Sequence, residues 1–505
     1  MKRTMRRKVT AILRAPIPGT MALERRLGCW LVASVKFVWW ALPGVAVLLA
    51  VWIVGGNFLA AQQEQEIERA WEEFAQDWPE VEMNDSALKL AELARDMGIN
   101  LGIGALYRSA ATQDYLNSHP DFAISETSPW RGERFRQEIT AYLDALVANP
   151  NDDIEVLPES LQRYLAENAE TLEAIRSHIL NRELPQRGTY PAEVILEKNY
   201  AFVLESGLGF AYLQRILQLS MMDRTLRGQH QTAEEILETS WKLNQTLLQE
   251  QNLISQLVHL IFSRQQIGTM RRLEPLSPEW QQRLSEYDFR PSLLKSLEPE
   301  IFSSYGVSKD LEFRSYGEFE RILEELVSDN KLEKRKFPIR LFFWFRPIIR
   351  PYHRFSTVNS IQQFWQELAG ASRQPSICQS DDWVRQTNAA WWSLWTWWDP
   401  IDSWDEEYPV DFINQERKVA KFLVEVELTQ KILQAKGRAA ELGRWPETLP
   451  NLESRICPGE RWVYRVSEEG TMSLSLSREP PWLAEHIKNG NLPLEFRTNR
   501  LPVQR

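Results

Sequence analysis

Residues 37–56 read FVWWALPGVAVLLAVWIVGG, twenty positions without a charged side chain. At 1.5 Å per residue a helix of that length reaches roughly 30 Å, the hydrocarbon thickness of a bilayer. Trp39, Trp40 and Trp52 stand where the aromatic belts of a spanning helix lie, and Lys36 is placed to snorkel toward head groups. Pro43-Gly44 predicts a kink, which a transmembrane helix tolerates. The rival reading is a cleaved signal peptide ending at Leu59-Ala60-Ala61. The length of the apolar run and a basic region of more than thirty residues favour a retained anchor.

Charge on the two sides of this stretch sets its orientation. Residues 1–27 hold Lys2, Arg3, Arg6, Arg7, Lys8, Arg14, Arg25 and Arg26 against Glu24, a net of +7, and Lys36 adds one more. Residues 37–61 are uncharged, so the whole-chain charge of −10 leaves residues 62–505 at −18. The positive-inside rule keeps 1–36 cytoplasmic and exports 62–505. A domain at −18 repels phosphates, so nucleic acid is excluded as a general partner.

Beyond the span, Ile67, Trp71, Phe74 and Trp78 recur at helical spacing among Glu and Gln, predicting a helical stalk over 62–80 that Pro79 ends. A helical domain is predicted for 81–330. Its segments are Asp85–Met97 stopped by Gly98, Glu133–Val147, Pro158–Leu180, and a block over 192–273. In that block one helix runs to Arg227 and ends at Gly228. Thr232 caps the next with Glu235 as a capping box, and a third spans Leu253–Leu273. Short turns between successive helices read as α-hairpins, without the fixed period of a repeat array. Residues 331–418 look irregular and aromatic-rich. Val419–Leu442 predicts a helix closed by Gly443. Trp462, Tyr464 and Val466 then alternate against Met472, Leu474 and Leu476 across Glu469-Gly470, a β-hairpin, and an extended tail follows Pro480. The predicted fold class is mainly α: a transmembrane helix over 37–61, a large exported α-helical domain, and a small C-terminal helix-plus-hairpin module over 419–505.

The run Gly443-Arg444-Trp445-Pro446-Glu447-Thr448-Leu449 between that helix and the hairpin resembles the end of many uncharacterised bacterial single-pass membrane-anchored proteins, whose usual form is helix, Gly-x-Tyr-Pro-x-x-Leu, then strands. It is also similar to the periplasmic end of pseudopilins. The likeness covers about residues 419–477, and Trp445 stands where Tyr is usual. The pilin processing site is absent before the span and the exported part is several times too large, so the resemblance implies local fold and envelope location and no functional residue. Gly443 stops the helix and Pro446 prevents its resumption, while Leu449 and Leu452 pin the loop on the hairpin.

Catalytic motifs are absent: no nucleophile elbow, Walker loop, dinucleotide fingerprint or zinc-protease helix occurs. His119, His178, His230, His259, His353 and His486 are scattered without ligand spacing, so neither a metal nor a cofactor is expected. Glu205-Ser206 is weakly similar to the catalytic pair of lytic transglycosylases, but that family's Gly-Leu-Met-Gln element is missing and a helix-bundle Glu is the better reading.

Three surfaces stand out. Residues 334–355, KRKFPIRLFFWFRPIIRPYHRF, interleave Lys334, Arg335, Lys336, Arg340, Arg346, Arg350 and Arg354 with aromatics including Trp344. That mixture suits a bilayer surface, or else an aromatic core segment whose arginines pair with acidic surroundings. Trp383, Trp391, Trp392, Trp395, Trp397, Trp398 and Trp404 take seven of the 21 tryptophans. They read as a packed core between units, or as a glycan or partner surface. Of three cysteines, Cys29 lies on the inner side, while Cys378 and Cys457 are exported and able to form one disulfide or remain two buried thiols. The expected function is a non-enzymatic envelope scaffold or adaptor with a membrane and a protein partner. The alternatives are a glycan-binding or glycan-acting wall protein using the Trp-rich region, and an accessory component of a secretion machine.

Overall fold

The computed structural model describes residues 20–78, 81–101, 133–187, 208–313, 407–479 and 493–502, with most of 346–370. It is mainly helical with one small antiparallel sheet. Helix α1, Thr20–Asp77, is unbroken over 58 residues: span and stalk are a single helix, and it begins inside the basic tail. It holds the one helix among the described residues that is long and apolar enough to cross a membrane.

The helical body comprises α2 (Asp85–Asp96), α3 (Glu133–Ala148), α4 (Glu159–Glu167), α5 (Ala169–Asn181), α6 (Leu208–Leu226), α7 (His230–Leu248), α8 (Leu253–Met270), α9 (Pro278–Glu286), α10 (Arg290–Phe313) and α11 (Glu407–Leu442). Helices α6, α7 and α8 pack as consecutive hairpins, and α11 lies against α8 and α9. Gly98, Gly228 and Gly443 all take left-handed φ, at 76°, 73° and 66°, so each predicted stop is a true terminus.

Several boundaries differ from the sequence reading for local reasons. The helix predicted over 158–180 is two, because the Asn168 side chain donates to Tyr164 O at 2.8 Å and offers the backbone an alternative to its ladder. Helix α7 starts at His230, so Thr232 lies in its first turn rather than at its cap. Glu235 completes no capping box and instead accepts from Arg176 at 2.7 Å. Helix α11 starts twelve residues before Val419, inside the stretch read as irregular.

The hairpin forms as predicted, β1 (Trp462–Val466) against β2 (Met472–Leu476), with Gly470 at φ 80° in the turn. A third strand, β3 (Glu495–Thr498), pairs with β2 and makes it central. Strand β3 also joins the helical body, since Asp152 N donates to Arg497 O at 3.0 Å and Arg497 N to Pro150 O at 2.9 Å. One core runs from Leu90 and Ile139 through Leu213 and Ile267 to Phe422, Trp462 and Phe496, across the boundary drawn at 419. Gly209 marks its tightest approach: a Cβ there would stand 1.9 Å from Asn100 O, so only glycine lets α6 pass this backbone.

The interior is unusually polar. Ser240 donates to Gln214 Oε1 at 2.5 Å and Gln266 Nε2 donates to Ser240 Oγ at 2.5 Å. Asn244 Nδ2 donates to Ser263 Oγ at 2.6 Å. All of these side chains are buried, and the chained bonds offset the cost of removing them from water.

Candidate functional site at the end of the apolar helix

On α1, most apolar side chains from Leu42 to Leu59 stay exposed, with Leu48 71% and Val54 71% exposed and Leu49 and Ile53 half-buried. Ala60 is the first fully buried residue, followed by Ile67. Cover thus begins close to the end of the predicted span, and it comes from a distant part of the chain. Residues 346–370, largely helical, climb alongside α1 in parallel. At the lower end Trp52 Nε1 donates to Ile348 O at 2.8 Å. Gly56 lies against Pro351, so closely that a Cβ would stand 2.7 Å from the proline Cβ. Arg354 donates through Nε to Glu64 Oε1 at 2.6 Å, through a second nitrogen to Glu64 Oε2, and to Asn57 Oδ1 at 3.2 Å.

Higher up, Ile67 packs with Leu297, Ile301, Phe302, Tyr305, Val358 and Ile361 in a second core. Phe302 is its hub, with ring centroids 5.2 Å from Trp71, 4.9 Å from Phe74 and 5.6 Å from Trp365. Lys309 pairs with Glu68. The predicted stalk is therefore no free tether: α10 and residues 346–370 form a collar around it.

A bidentate guanidinium–carboxylate pair that is largely buried strongly destabilises a fold when one partner is removed. Arg354→Glu is expected to cost about 3 kcal/mol, read as a lowered melting temperature of the full chain in detergent. Combining it with Glu64→Arg should recover at least half of that loss. An unchanged melting temperature in the single variant would show that this pair does not hold the collar.

Of the basic residues singled out in the sequence, Arg346, Arg350 and Arg354 belong to the collar. Arg354 takes the pairing with an acidic neighbour foreseen as the alternative to lipid contact. Lys334, Arg335, Lys336, Arg340 and Trp344 lie outside the described residues, as do Trp391, Trp392, Trp395, Trp397, Trp398, Glu205 and Cys378. Cys457 is fully buried and disulfide-bonded. Its loop is held on α11 by Glu427, which accepts from Ser454 Oγ at 2.7 Å and Arg455 N at 2.8 Å. On the α1 half of the site, Trp52 was read only as a belt residue, whereas it donates to Ile348 O, and Gly56, Asn57 and Glu64 carried no reading. Its one sequence signal is that Glu64 is the first acid after the span, at the level where a paired charge can leave the membrane.

Elsewhere among the described residues, one side-chain contact has the form of a catalytic pair. His259 Nδ1 meets Asn244 O at 2.9 Å, an atom that only accepts, so Nδ1 carries the proton and Nε2 accepts from Ser263 at 3.1 Å or Tyr287 at 2.5 Å. Burial, against the opposing backbone contact of Asn244, lowers the His259 pKa to about 4 and keeps it neutral. Ser263 and His259 have the nucleophile–base contact of a hydrolase, yet both are sealed in the core at no more than 1% exposure, with no room for substrate. A cleft of about 280 Å³ between α4, α5, α6 and α7 is lined by Leu172, Leu217 and Ile236 beneath Arg176, Asp223 and Arg227. Arg176 is paired with Glu173 and Glu235, and Arg227 with Asp223. Among the described residues no three His, Cys, Asp or Glu side chains could hold a metal ion. No protein-family model, curated protein or solved structure matches the chain.

Proposed function

We propose that the protein is a single-pass membrane-anchored scaffold, with its basic tail in the cytoplasm and its helical domain exported and offered to a protein partner. The observation that carries this reading is the collar. It grips α1 at Trp52, Gly56 and Asn57, all of which a cleavage after Ala61 would remove. A retained helix fits a fold that uses those residues. The same grip, continued by the second core to Phe74, holds the domain at a set height and orientation over the bilayer, as presentation to a partner requires. Export of residues 62–505 behind a +8 tail follows the positive-inside rule.

A reporter active only outside the cytoplasm, fused after Arg505, is expected to be active, and sequencing of the mature protein to find residues N-terminal to Gln62. Mild crosslinking in membranes should trap a stoichiometric protein partner. Activity of a strictly cytoplasmic reporter would overturn the topology, a mature terminus at Gln62 the anchor, and recovery of the chain without a partner the scaffold role.

A further inference from the structure

We propose that the free edge of β1, at residues 464–466, binds an extended segment of a partner protein as a fourth strand, one that carries an acidic side chain between two apolar ones. The inference rests on the scaffold reading and gives the chemistry of the partner which that reading requires.

The sheet has one covered edge and one open edge. Ser477 N donates to Arg461 O at 2.8 Å and Ser467 N to Thr471 O at 2.9 Å, so the hydrogen-bonded pairs of β1 with β2 fall on odd-numbered residues. Pairing alternates along an antiparallel strand. Val463 and Arg465 therefore bond to β2, while the backbone groups of Trp462, Tyr464 and Val466 point the other way. On the far side, β3 turns its outward groups to Asp152 N and Pro150 O of the helical body. On β1 the chain covers only the start of the edge. Trp462 N donates to Leu452 O at 2.6 Å and Ser454 N to Glu460 O at 3.0 Å, with Glu453 in an antiparallel bridge to Arg461. Asn451 then breaks the extended line at φ 56°. Among the described residues no backbone group meets Tyr464 or Val466 on this side.

This edge is held in shape. Tyr464 Oη donates to Pro446 O at 2.8 Å, and Trp462 is buried. A preformed edge spares an incoming strand part of the ordering cost. On its inner face Val466 is 38% exposed beside half-buried Tyr464. On its outer face Arg465 is exposed and in no ion pair among the described residues.

Those three side chains define the occupant. Directly opposed residues of an antiparallel pair interact on one face. Apolar residues thus fit opposite Tyr464 and Val466, and an acid between them fits opposite Arg465. The covering segment of the chain already follows this pattern, with Leu452 opposite Trp462 and Glu453 opposite Arg461. A second copy fits badly. The self-pairing that uses both Tyr464 and Val466 is centred on Arg465 and sets two arginines against each other, and like charges directly opposite are destabilising. A charge on an edge strand bars self-association in this way and leaves an acidic partner welcome.

Fluorescein-labelled peptides Thr-Val-Glu-Val-Thr and Thr-Val-Lys-Val-Thr, titrated into the full chain in nanodiscs and followed by anisotropy, test this. The glutamate peptide should bind at least tenfold more tightly than the lysine peptide, and Arg465→Glu should reverse that order. Val466→Pro removes an outward N–H without touching the β2 ladder, so it should melt as the unmutated chain does and lose the glutamate peptide. Hydrogen exchange in the β1 fragment of the unmutated chain should slow when that peptide is added. Equal affinity for the two peptides, binding of neither, or unchanged exchange in β1 overturns the proposal. Undiminished binding by Val466→Pro overturns strand addition. A partner crosslinked to Val466→Pro in undiminished yield overturns this surface and leaves the scaffold reading standing. Recovery of the unmutated chain without any partner overturns the scaffold reading instead.

Discussion

Replacing Glu425 by alanine is expected to cost about 3–5 kcal/mol, the largest loss from any single side chain considered. Glu425 sits on α11 with no exposed surface. Both its oxygens accept from Arg264 on α8, at 2.7 Å each. Burial works against the Arg264 guanidinium, but the Glu425 charge and hydrogen bonds raise its pKa overall. Arg271, about two helical turns further along, is fully buried. It donates to Glu425 O at 3.1 Å, Thr429 Oγ1 at 2.9 Å and Pro493 O at 3.0 Å. Burial lowers the Arg271 pKa to about 9, opposed by the Glu425 carboxylate and reinforced by Arg272 and Arg264. Removing the carboxylate leaves Arg264 without its bidentate partner and the buried Arg271 without the charge that offsets repulsion from Arg272 and Arg264. Since a domain has roughly 5–15 kcal/mol of stability in total, the variant should melt far below the parent or fail to fold. Glu425→Gln keeps shape and acceptor oxygen and should lose less than the alanine variant, though still well over 1 kcal/mol. Denaturant unfolding of the full chain in detergent reads both, and a Glu425→Ala loss under 1 kcal/mol would show that water compensates the pair.

The second large effect belongs to the disulfide at Cys457. The partner expected from the sequence is Cys378, and that bond would close a loop of about eighty residues, stabilising the fold by about 4 kcal/mol on the chain-entropy estimate. Cys457→Ser and Cys378→Ser should then destabilise the protein equally, and the double variant no further than either. Cys29→Ser should change nothing. Thiol counting on unfolded, unreduced protein should find one free thiol, Cys29. Three free thiols, or a loss on replacing Cys29, would refute the pairing. The bond matters because Glu427 already fixes the Cys457 loop to α11. A crosslink from it would tie the aromatic-rich region to α11.

How much of this was legible in the sequence follows from range. The apolar span, the helix-stop glycines Gly98, Gly228 and Gly443, and the alternation of Met472, Leu474 and Leu476 depend on neighbours within a few residues, and each is where the pattern placed it. Strand β3 escaped because Glu-Phe-Arg-Thr has too little pattern of its own, and its pairing with β2 supplies the reason to be extended. Helix α8 hid its role for the opposite reason. His259, Ser263, Gln266 and Arg271 look like a solvated face until α7 and α11 close over them.

By itself, then, the sequence determined the helical class, one membrane-length helix, the charge asymmetry on its two sides and the unusual composition of residues 334–355. These are carried by local periodicity and composition, which tertiary contacts do not reverse. Only the tertiary structure decided that α1 is gripped rather than free, that Arg354 answers Glu64 across 290 positions, and that the C-terminal strands share the core of the helices. Pair interactions between charges fall off within a few ångströms of separation in space and carry no trace of separation along the chain, so no pattern in either segment alone names its partner.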